Sequence, residues 1–242
     1  NFIIIEAKQS FKGACKEFIF EKNINRYHKY LDKITYHKIE DIHFSYSDLM
    51  KFLEKSDCKV YKKISLFIEK HDYYEKNNLP YLLDSYHREC IHIALDKNCN
   101  DEDIILLSDL DEIPSFSLVK KLRRQNMLNE YLVFVQHEFQ YYLNNYSNSK
   151  WYGTIVSPYK LMKRYSLNKL RKNSMQLKVI SKSGYHFTSI GDKQSIINKI
   201  ENWGHQEFNH KIIKNNIEEN IKNGKDIFYR LKIKKNKIIK IE

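Results

Sequence analysis

The sequence has little of what marks several large classes of protein. Its 242 residues include only six glycines, three prolines and four cysteines. The cysteines stand apart, without a Cys-x-x-Cys pair or the spacing of a zinc site, so we interpret them as reduced thiols of a cytoplasmic protein. No run approaches the ~18 consecutive apolar residues of a membrane span, and no signal peptide is visible. These absences argue against a disulfide-rich secreted domain and against an integral membrane protein.

Positive charge is what the sequence has in excess, with 42 Lys and Arg against 30 Asp and Glu. A net charge of +12 suits nucleic acid, an anionic membrane surface or a small polyanion such as a nucleotide sugar. The lysines could equally solvate the outer faces of helices. Because 42% of the residues are hydrophobic, we expect a packed globular protein whatever the partner is.

The order of apolar segments predicts an α/β fold with a mainly parallel sheet flanked by helices. We expect strands over residues 2–5, 34–39, 104–107, 132–139 and 179–187. We expect helices over residues 46–55, 82–95, 117–128, 196–203 and 212–223, the last closed by Gly224 as a C-cap. No internal repeat or linker interrupts this order. We therefore predict a single catalytic domain over residues 1–230, followed by a basic tail or edge strand over 231–242.

The clearest chemical signal is a pair of acids, Asp109 and Asp111, that follows the apolar run 104–107. In open α/β sheets ligands bind beyond the carboxyl ends of strands, and residues two apart in extended chain point the same way. Two carboxylates held together repel each other, and Mg²⁺ or Mn²⁺ relieves this while leaving coordination sites for diphosphate oxygens. The alternative is an acidic turn that caps the next helix.

Around this pair the sequence resembles a known family. Ser108-Asp-Leu-Asp-Glu-Ile-Pro114 is similar to the Asp-x-Asp-Glu-Ile-Pro signature of glycosyltransferase family 17, which includes β-1,4-N-acetylglucosaminyltransferases acting on N-glycans. Other segments resemble the family in the same order along the chain: Glu6-Ala7 with Ser10-Phe-Lys-Gly13, Arg88-Glu89, Tyr142-Leu-Asn144, Trp151-Tyr-Gly-Thr154, Gly184-Tyr-His-Phe187, His205-Gln-Glu-Phe-Asn209 and Lys222-Asn-Gly-Lys-Asp226. Family members usually open with a strand that would precede Asn1, so we expect this chain to lack the first strand.

The resemblance implies a GT-A-like, Rossmann-like fold, a divalent cation (Mn²⁺ or Mg²⁺) and transfer with inversion at the anomeric carbon. It favours UDP-N-acetylglucosamine (UDP-GlcNAc) as the donor and a glycan as the acceptor, with no role for nucleic acid. We expect a cytoplasmic enzyme whose lysines can contact a membrane surface. A eukaryotic relative would instead lie in the Golgi lumen, tethered by a segment upstream of Asn1.

The resemblance also implies residue roles. A late histidine often completes the metal shell of GT-A enzymes, so we expect Asp109, Asp111 and His186 to be the metal ligands. The alternative for His186 is a histidine satisfied by backbone partners. An inverting transfer needs a base, for which Asp192, Glu207 and Glu112 are candidates. Asp192 could equally cap the helix that follows it, and Glu112 could instead contact the donor sugar or the backbone of its own turn.

Four further residues are expected to contact the donor. Glu6 would contact the nucleotide, Arg88 and Arg171 would balance the diphosphate charge, and Trp151 would stack on a sugar ring. The alternatives are a salt bridge for each charged residue and core packing for Trp151.

Two other functions remain open from the residues alone. Basic charge interleaved with 18 Tyr and 13 Phe would suit a nucleic-acid-binding protein. Asp-x-Asp also serves metal-dependent phosphoryl and nucleotidyl transferases, although the sequence has no Gly-rich phosphate loop of the G-x-x-x-x-G-K-[ST] type.

Overall fold

The computed structural model describes residues 1–123, 128–229 and 237–238. The chain divides into two compact units. The first unit comprises residues 1–100, 166–168 and 202–206, and the second comprises residues 101–165, 169–201 and 207–242.

The first unit contains a two-stranded parallel sheet. β1 (Phe2–Ala7) pairs with β2 (Ile34–Ile39). Both strands confirm the sequence prediction, although β1 is only half-buried. A short helix α1 (Ile19–Lys22) and a 3₁₀ helix (Ile24–Lys33) lie between the strands.

Four longer helices complete the first unit. They are α2 (Tyr46–Lys55), α3 (Lys59–Glu69), α4 (Leu79–Glu89) and α5 (Ile91–Asn98). Apolar residues at helical spacing, such as Leu49 and Leu53 of α2, meet those of α3 and α4 in one buried cluster. The single helix predicted over residues 82–95 is two helices, because the amide of Ile93 bonds the carbonyl of Cys90 in a tight turn.

The second unit contains a seven-stranded mixed sheet. Its strands are β3 (Ile104–Leu107), β4 (Glu112–Pro114), β5 (Leu132–Gln140), β6 (Asn145–Pro158), β7 (Lys178–Ile180), β8 (Gly184–Thr188) and β9 (Lys237–Ile238). The order is β3-β6-β5-β8-β4, with β7 also on β5 and β9 also on β6. Among the strand pairs that the structure describes in this sheet, only those of β5 with β7 and β8 are parallel. The α/β class is therefore confirmed, but the sheet is mixed rather than mainly parallel.

The long strand β6 explains this difference. Tyr141 has a φ of 66°, and the amide of Asn145 bonds the carbonyl of Tyr142, so the chain reverses sharply after β5. β6 then returns antiparallel along β5 and also pairs antiparallel with β3. The prediction that residues 104–107 form a central parallel strand is therefore wrong, because β3 lies at one end of the strand order.

Six helices are described after β4. They are α6 (Phe116–Leu122), α7 (Tyr159–Met162), α8 (Leu167–Lys172), α9 (Lys193–Asn202), α10 (Lys211–Asn215) and α11 (Ile217–Lys222). The helix predicted over residues 212–223 is thus interrupted at Asn216, and Gly224 follows α11 with the expected positive φ of 63°. No helix in the described ranges is long and apolar enough to cross a membrane.

Two predictions fall partly outside the described residues. The helix predicted over 117–128 corresponds to α6, and residues 124–127 are not among those described. Within the tail predicted over 231–242, only Lys237–Ile238 is described, as a strand paired with Asn145 and Tyr146.

Candidate active site

Three ionisable residues lie side by side on neighbouring strands of the second unit. The strand register pairs Glu112 of β4 with His186 of β8, and His186 with Glu138 of β5. Laterally paired residues project from the same face of a sheet, so the three side chains form one row. All three are buried. Buried charged groups are rare unless they are paired, which makes this row a candidate site.

Arg171 of α8 binds the acidic connection between β3 and β4. Its Nη2 lies 2.7 Å from Oδ2 of Asp109 and 2.7 Å from Oε1 of Glu112, while Nη1 donates to the carbonyl of Gly153 at 2.6 Å. Burial alone would lower the pKa of Arg171, but Asp109 and Glu112 outweigh it and raise that pKa above its ordinary value. The guanidinium therefore stays charged and compensates both carboxylates.

Glu112 is held by several donors at once. Besides Arg171, it accepts hydrogen bonds from Nε1 of Trp151 at 2.7 Å, from Oγ1 of Thr154 at 3.2 Å and from the amide of Asp109 at 3.2 Å. Because donors already contact both carboxylate oxygens, a substrate hydroxyl would have to displace one of them to reach Glu112. The arrangement favours the sequence alternative in which Glu112 bonds the backbone of its turn.

Asp111 is placed differently. Its Oδ1 lies 3.6 Å from Nε2 of His186, and its Oδ2 lies 3.7 Å from Nζ of Lys199 on α9. Its side chain keeps 35% exposure. Burial alone would raise the pKa of Asp111, but His186 and Lys199 outweigh it and hold that pKa below its ordinary value. Asp111 is therefore an ionised carboxylate that a ligand can reach.

The imidazole of His186 has a defined orientation. It stacks on the indole of Trp151, with the ring centroids 4.1 Å apart and the planes 16° from parallel. Nε2 faces Asp111, while Nδ1 lies 4.0 Å from Oε1 of Glu138. Nδ1 is buried and has no hydrogen-bond partner among the described residues.

The residues offer a partial fit to a divalent cation. Within the part of the chain that the structure describes, no group of three or more His, Cys, Asp and Glu is arranged to hold a metal ion. Asp111 and His186 suit two adjacent positions, because neighbouring ligands of an octahedral ion lie about 3 Å apart. A histidine that binds a metal ion through one nitrogen usually donates the proton of the other to an acceptor, and the buried Nδ1 of His186 has the carboxylate of Glu138 4.0 Å away. Of the predicted trio, the structure brings Asp111 and His186 together and pairs Asp109 with Arg171.

A comparison with models of protein families identifies the family of this chain. The model of glycosyltransferase family 17 matches residues 44–234. The chain belongs to glycosyltransferase family 17. No curated protein and no solved structure gives a significant match.

The family match covers the row of ionisable residues in β4, β5 and β8 together with Asp109, Asp111 and Arg171. As a glycosyltransferase, the protein acts on a sugar donor and an acceptor. The Asp-x-Asp-Glu-Ile-Pro segment that carried the resemblance lies within the match, whereas the segment at residues 6–13 precedes it.

Asp192 and Glu207 are both exposed in this family 17 protein. Asp192 precedes α9, and its Oδ1 accepts the amide of Ser195 at 2.8 Å, so it caps that helix as the sequence alternative predicted. The hydrogen bonds from Ser195 lower the pKa of Asp192. Glu207 lies in a 3₁₀ helix at Gln206–Phe208. Their role as the base stays a prediction.

Glu6 and Arg88 lie in the first unit. Glu6 accepts hydrogen bonds from Lys16 at 2.9 Å, from Tyr36 at 2.8 Å and from two amides at the start of α1, at 2.7 and 3.0 Å. Nη1 of Arg88 donates to Asn168 at 3.0 Å and to Asp84 at 3.3 Å. These contacts correspond to the ion-pair alternatives, and donor binding by either residue stays a prediction.

Two residues of the site escaped the sequence prediction. Glu138 had a partial signal, since Gln136, Glu138 and Gln140 place polar residues at every second position of a strand whose other residues, apart from His137, are apolar. Lys199 had no signal in the sequence, because it is one of many lysines at helical positions. Only the tertiary structure brings it near Asp111.

Proposed function

We propose that this family 17 protein transfers N-acetylglucosamine from UDP-GlcNAc to a glycan hydroxyl, with inversion and with the help of Mn²⁺ or Mg²⁺, on a fold of the GT-A type. The observation that carries the proposal is the pair formed by Asp111 and His186, 3.6 Å apart, with a partly exposed, ionised carboxylate. Membership of the family indicates glycosyl transfer, and the pair of Asp111 and His186 is where we place the donor diphosphate.

Asp111 and Nε2 of His186 are the residues that would hold the divalent ion. Such an ion neutralises a diphosphate and stabilises it as a leaving group. Lys199 stands beside the other carboxylate oxygen of Asp111 and adds a positive charge that a diphosphate can approach. Glycosyl transfer builds negative charge on the departing nucleotide, so groups already fixed in this place favour the transition state over the bound donor.

Arg171 and Glu112 would hold the site in its conformation rather than contact the donor. Arg171 joins Asp109, Glu112 and the carbonyl of Gly153. This clamp fixes the connection that carries Asp111, which limits how far the carboxylate can move when a ligand binds. Trp151 extends the clamp to His186, because its indole nitrogen bonds Glu112 and its ring stacks on the imidazole.

The acceptor hydroxyl must lose a proton as it attacks the sugar. Because Glu112 is already held by its donors, we assign this role to an exposed carboxylate, Asp192 or Glu207. The hydrogen bonds from Ser195 that lower the pKa of Asp192 keep it ionised at neutral pH but also weaken it as a base. Asp192→Asn is therefore expected to bind the donor and to lose transfer, and unchanged turnover would remove Asp192 as the base.

A donor panel tests the proposed function. The protein would be incubated with UDP-sugars, other nucleotide sugars and nucleoside triphosphates, with and without Mn²⁺, and free nucleotide would be measured. We expect release of UDP from UDP-GlcNAc with Mn²⁺, and a fall of about 100-fold or more in Asp111→Asn. The matched control is Glu130→Gln, an exposed carboxylate paired with Lys178, which should keep full activity.

The other outcomes separate the rival functions. Turnover of nucleoside triphosphates without any nucleotide sugar would replace glycosyl transfer with phosphoryl or nucleotidyl transfer. Salt-sensitive binding of generic oligonucleotides, with no turnover of any donor, would support a nucleic-acid-binding protein instead.

A further inference from the structure

We propose that Glu138 is a positioning residue, which accepts the Nδ1 proton of His186 and thereby presents the Nε2 lone pair towards Asp111. The ligand role of Nε2 rests on the proposed function, whereas the orientation and the proton position of the ring do not. No contact between Glu138 and a substrate is part of the proposal.

A bulge in the sheet is built around Glu138. β5 and β6 pair His137 with Lys150 and, after an irregularity, Phe139 with Tyr146. Between these two pairs β5 contributes Glu138 alone, while β6 contributes three residues, 147–149. The middle one, Asn148, has a φ of 55°, a conformation that residues other than glycine seldom adopt. Bulges re-aim side chains and are frequent beside active sites.

The bulge turns two serine hydroxyls onto one oxygen of Glu138. Oγ of Ser147 donates to Oε2 at 3.0 Å, and Oγ of Ser149 donates to the same oxygen. With Oε2 occupied in this way, Oε1 is the oxygen that faces the imidazole of His186. The side-chain Nε2 of Gln140 also lies 3.5 Å from Oε1, at the outer limit of hydrogen bonding.

The imidazole completes the arrangement from the other side. Its Nδ1 lies 4.0 Å from Oε1 of Glu138, beyond hydrogen-bond distance, so a shift of about 1 Å closes the bond. Nδ1 has no hydrogen-bond partner among the described residues, and it is buried. The stacked indole of Trp151 covers one face of the ring and limits how far the ring can tilt.

His186 therefore lies between two carboxylates, one at each nitrogen. Glu138 is almost fully buried and oriented by two hydroxyls, whereas Asp111 is about one-third exposed. A buried, fixed acceptor is less screened by water than an exposed one, so in the neutral ring the single remaining proton favours Nδ1. Nε2 is then left as a lone pair, the form in which histidine binds a metal ion, with a carboxylate behind it.

The test reads the ring directly and then reads metal binding. ¹⁵N-histidine-labelled protein without metal would be studied by NMR, with His186→Gln used to assign the ring signals. In the parent protein we expect the neutral ring of His186 to carry its proton on Nδ1. In Glu138→Gln that proton should shift towards Nε2. Mn²⁺ affinity, measured by electron paramagnetic resonance, should fall about 10- to 100-fold in the same variant.

Two further variants complete the design. Ser149→Ala keeps the carboxylate and removes one of its orienting bonds, so it should shift the proton and the Mn²⁺ affinity in the same direction by less. It carries the test if Glu138→Gln does not fold. Glu130→Gln, on the exposed pair with Lys178, should change neither measurement.

The outcomes separate the inference from the proposed function. An unchanged proton position in Glu138→Gln and Ser149→Ala would overturn the positioning role, whatever the metal result. If the proton shifts in Glu138→Gln but the parent protein binds no Mn²⁺, the positioning role is upheld and the metal site is refuted.

Discussion

The two units of the molecule each place a carboxylate at or beyond the end of a strand. One carboxylate is surrounded by hydrogen-bond donors and the other is left partly exposed. In the first unit, Glu6 of β1 accepts hydrogen bonds from Lys16, from Tyr36 and from two amides of α1. In the second unit, Asp111 is flanked by His186 at 3.6 Å and Lys199 at 3.7 Å. The side-chain exposures differ accordingly, 13% for Glu6 and 35% for Asp111.

The difference shows what separates a structural carboxylate from one that can bind a ligand. Glu6 is satisfied by its own chain, and adding a ligand there would mean breaking existing bonds. Asp111 is neutralised by neighbours beyond ordinary hydrogen-bond distance, so an incoming ion or phosphate group can join them. Within the second unit, Glu112 resembles Glu6 rather than Asp111, because its donors already surround it.

The largest effect on stability is expected from removing the charge that compensates Asp109 and Glu112. Arg171→Met leaves a fully buried carboxylate unpaired, which costs about 3–5 kcal/mol of unfolding free energy. Urea unfolding followed by tryptophan fluorescence in a Trp203→Phe background, where Trp151 is the remaining tryptophan, would measure the loss in the second unit. The matched control is Arg164→Met at an exposed position, expected to stay within about 0.5 kcal/mol. A loss no greater than that of the control would mean that Glu112 does not depend on Arg171.

A smaller effect is expected at the corresponding carboxylate of the first unit. Glu6→Gln retains one acceptor oxygen for its several donors and should lose about 1–3 kcal/mol of unfolding free energy. Glu17→Gln, at an exposed neighbour paired with Lys22, should have little effect. Donor affinity is the second measurement. If Glu6→Gln weakened nucleotide binding without loss of stability, Glu6 would be the nucleotide contact that the sequence predicted.

The effect that is smallest at neutral pH is a pH dependence in the first unit. Burial outweighs the opposing charge of Asp41 and, with smaller contributions from Lys16 and His43, lowers the pKa of His87 from 6.5 to about 3. Between these two values the unfolded chain binds more protons than the folded one, so stability falls as the pH drops from about 6.5 towards 3. Thermal unfolding across this range should show a shallower slope for His87→Gln and an unchanged slope for the exposed His28→Gln. Equal slopes in His87→Gln and the parent protein would refute this assignment.

The sequence predicted local features well and long-range pairing poorly. β2 and α2 have the predicted bounds, and Asp109 and Asp111 stand out because a polar pair after an apolar run is a local signal. The mixed sheet was missed because β6 opens with polar residues, Asn145 to Lys150, which resemble a loop until β5 pairs with them.

The same limit applies to the site. The row of Glu112, His186 and Glu138 exists through the register of three strands, and no local pattern contains that register. Likewise, an acid at a strand end is visible in the sequence, but the donors that satisfy it are not. Glu6 was therefore predicted to contact the nucleotide and Asp111 to bind the metal ion, although of the two only Asp111 is left accessible by its neighbours.

Calorimetric titration of UDP, with and without Mn²⁺, tests most directly whether Asp111 and His186 form the donor site. The parent protein and Glu130→Gln should bind UDP at least about 10-fold more tightly with Mn²⁺ than without it, which corresponds to about 1.4 kcal/mol. Asp111→Asn and His186→Gln should lose this Mn²⁺ dependence while their melting temperatures stay close to that of the parent. Mn²⁺-dependent UDP binding that survives in both folded variants would contradict the account.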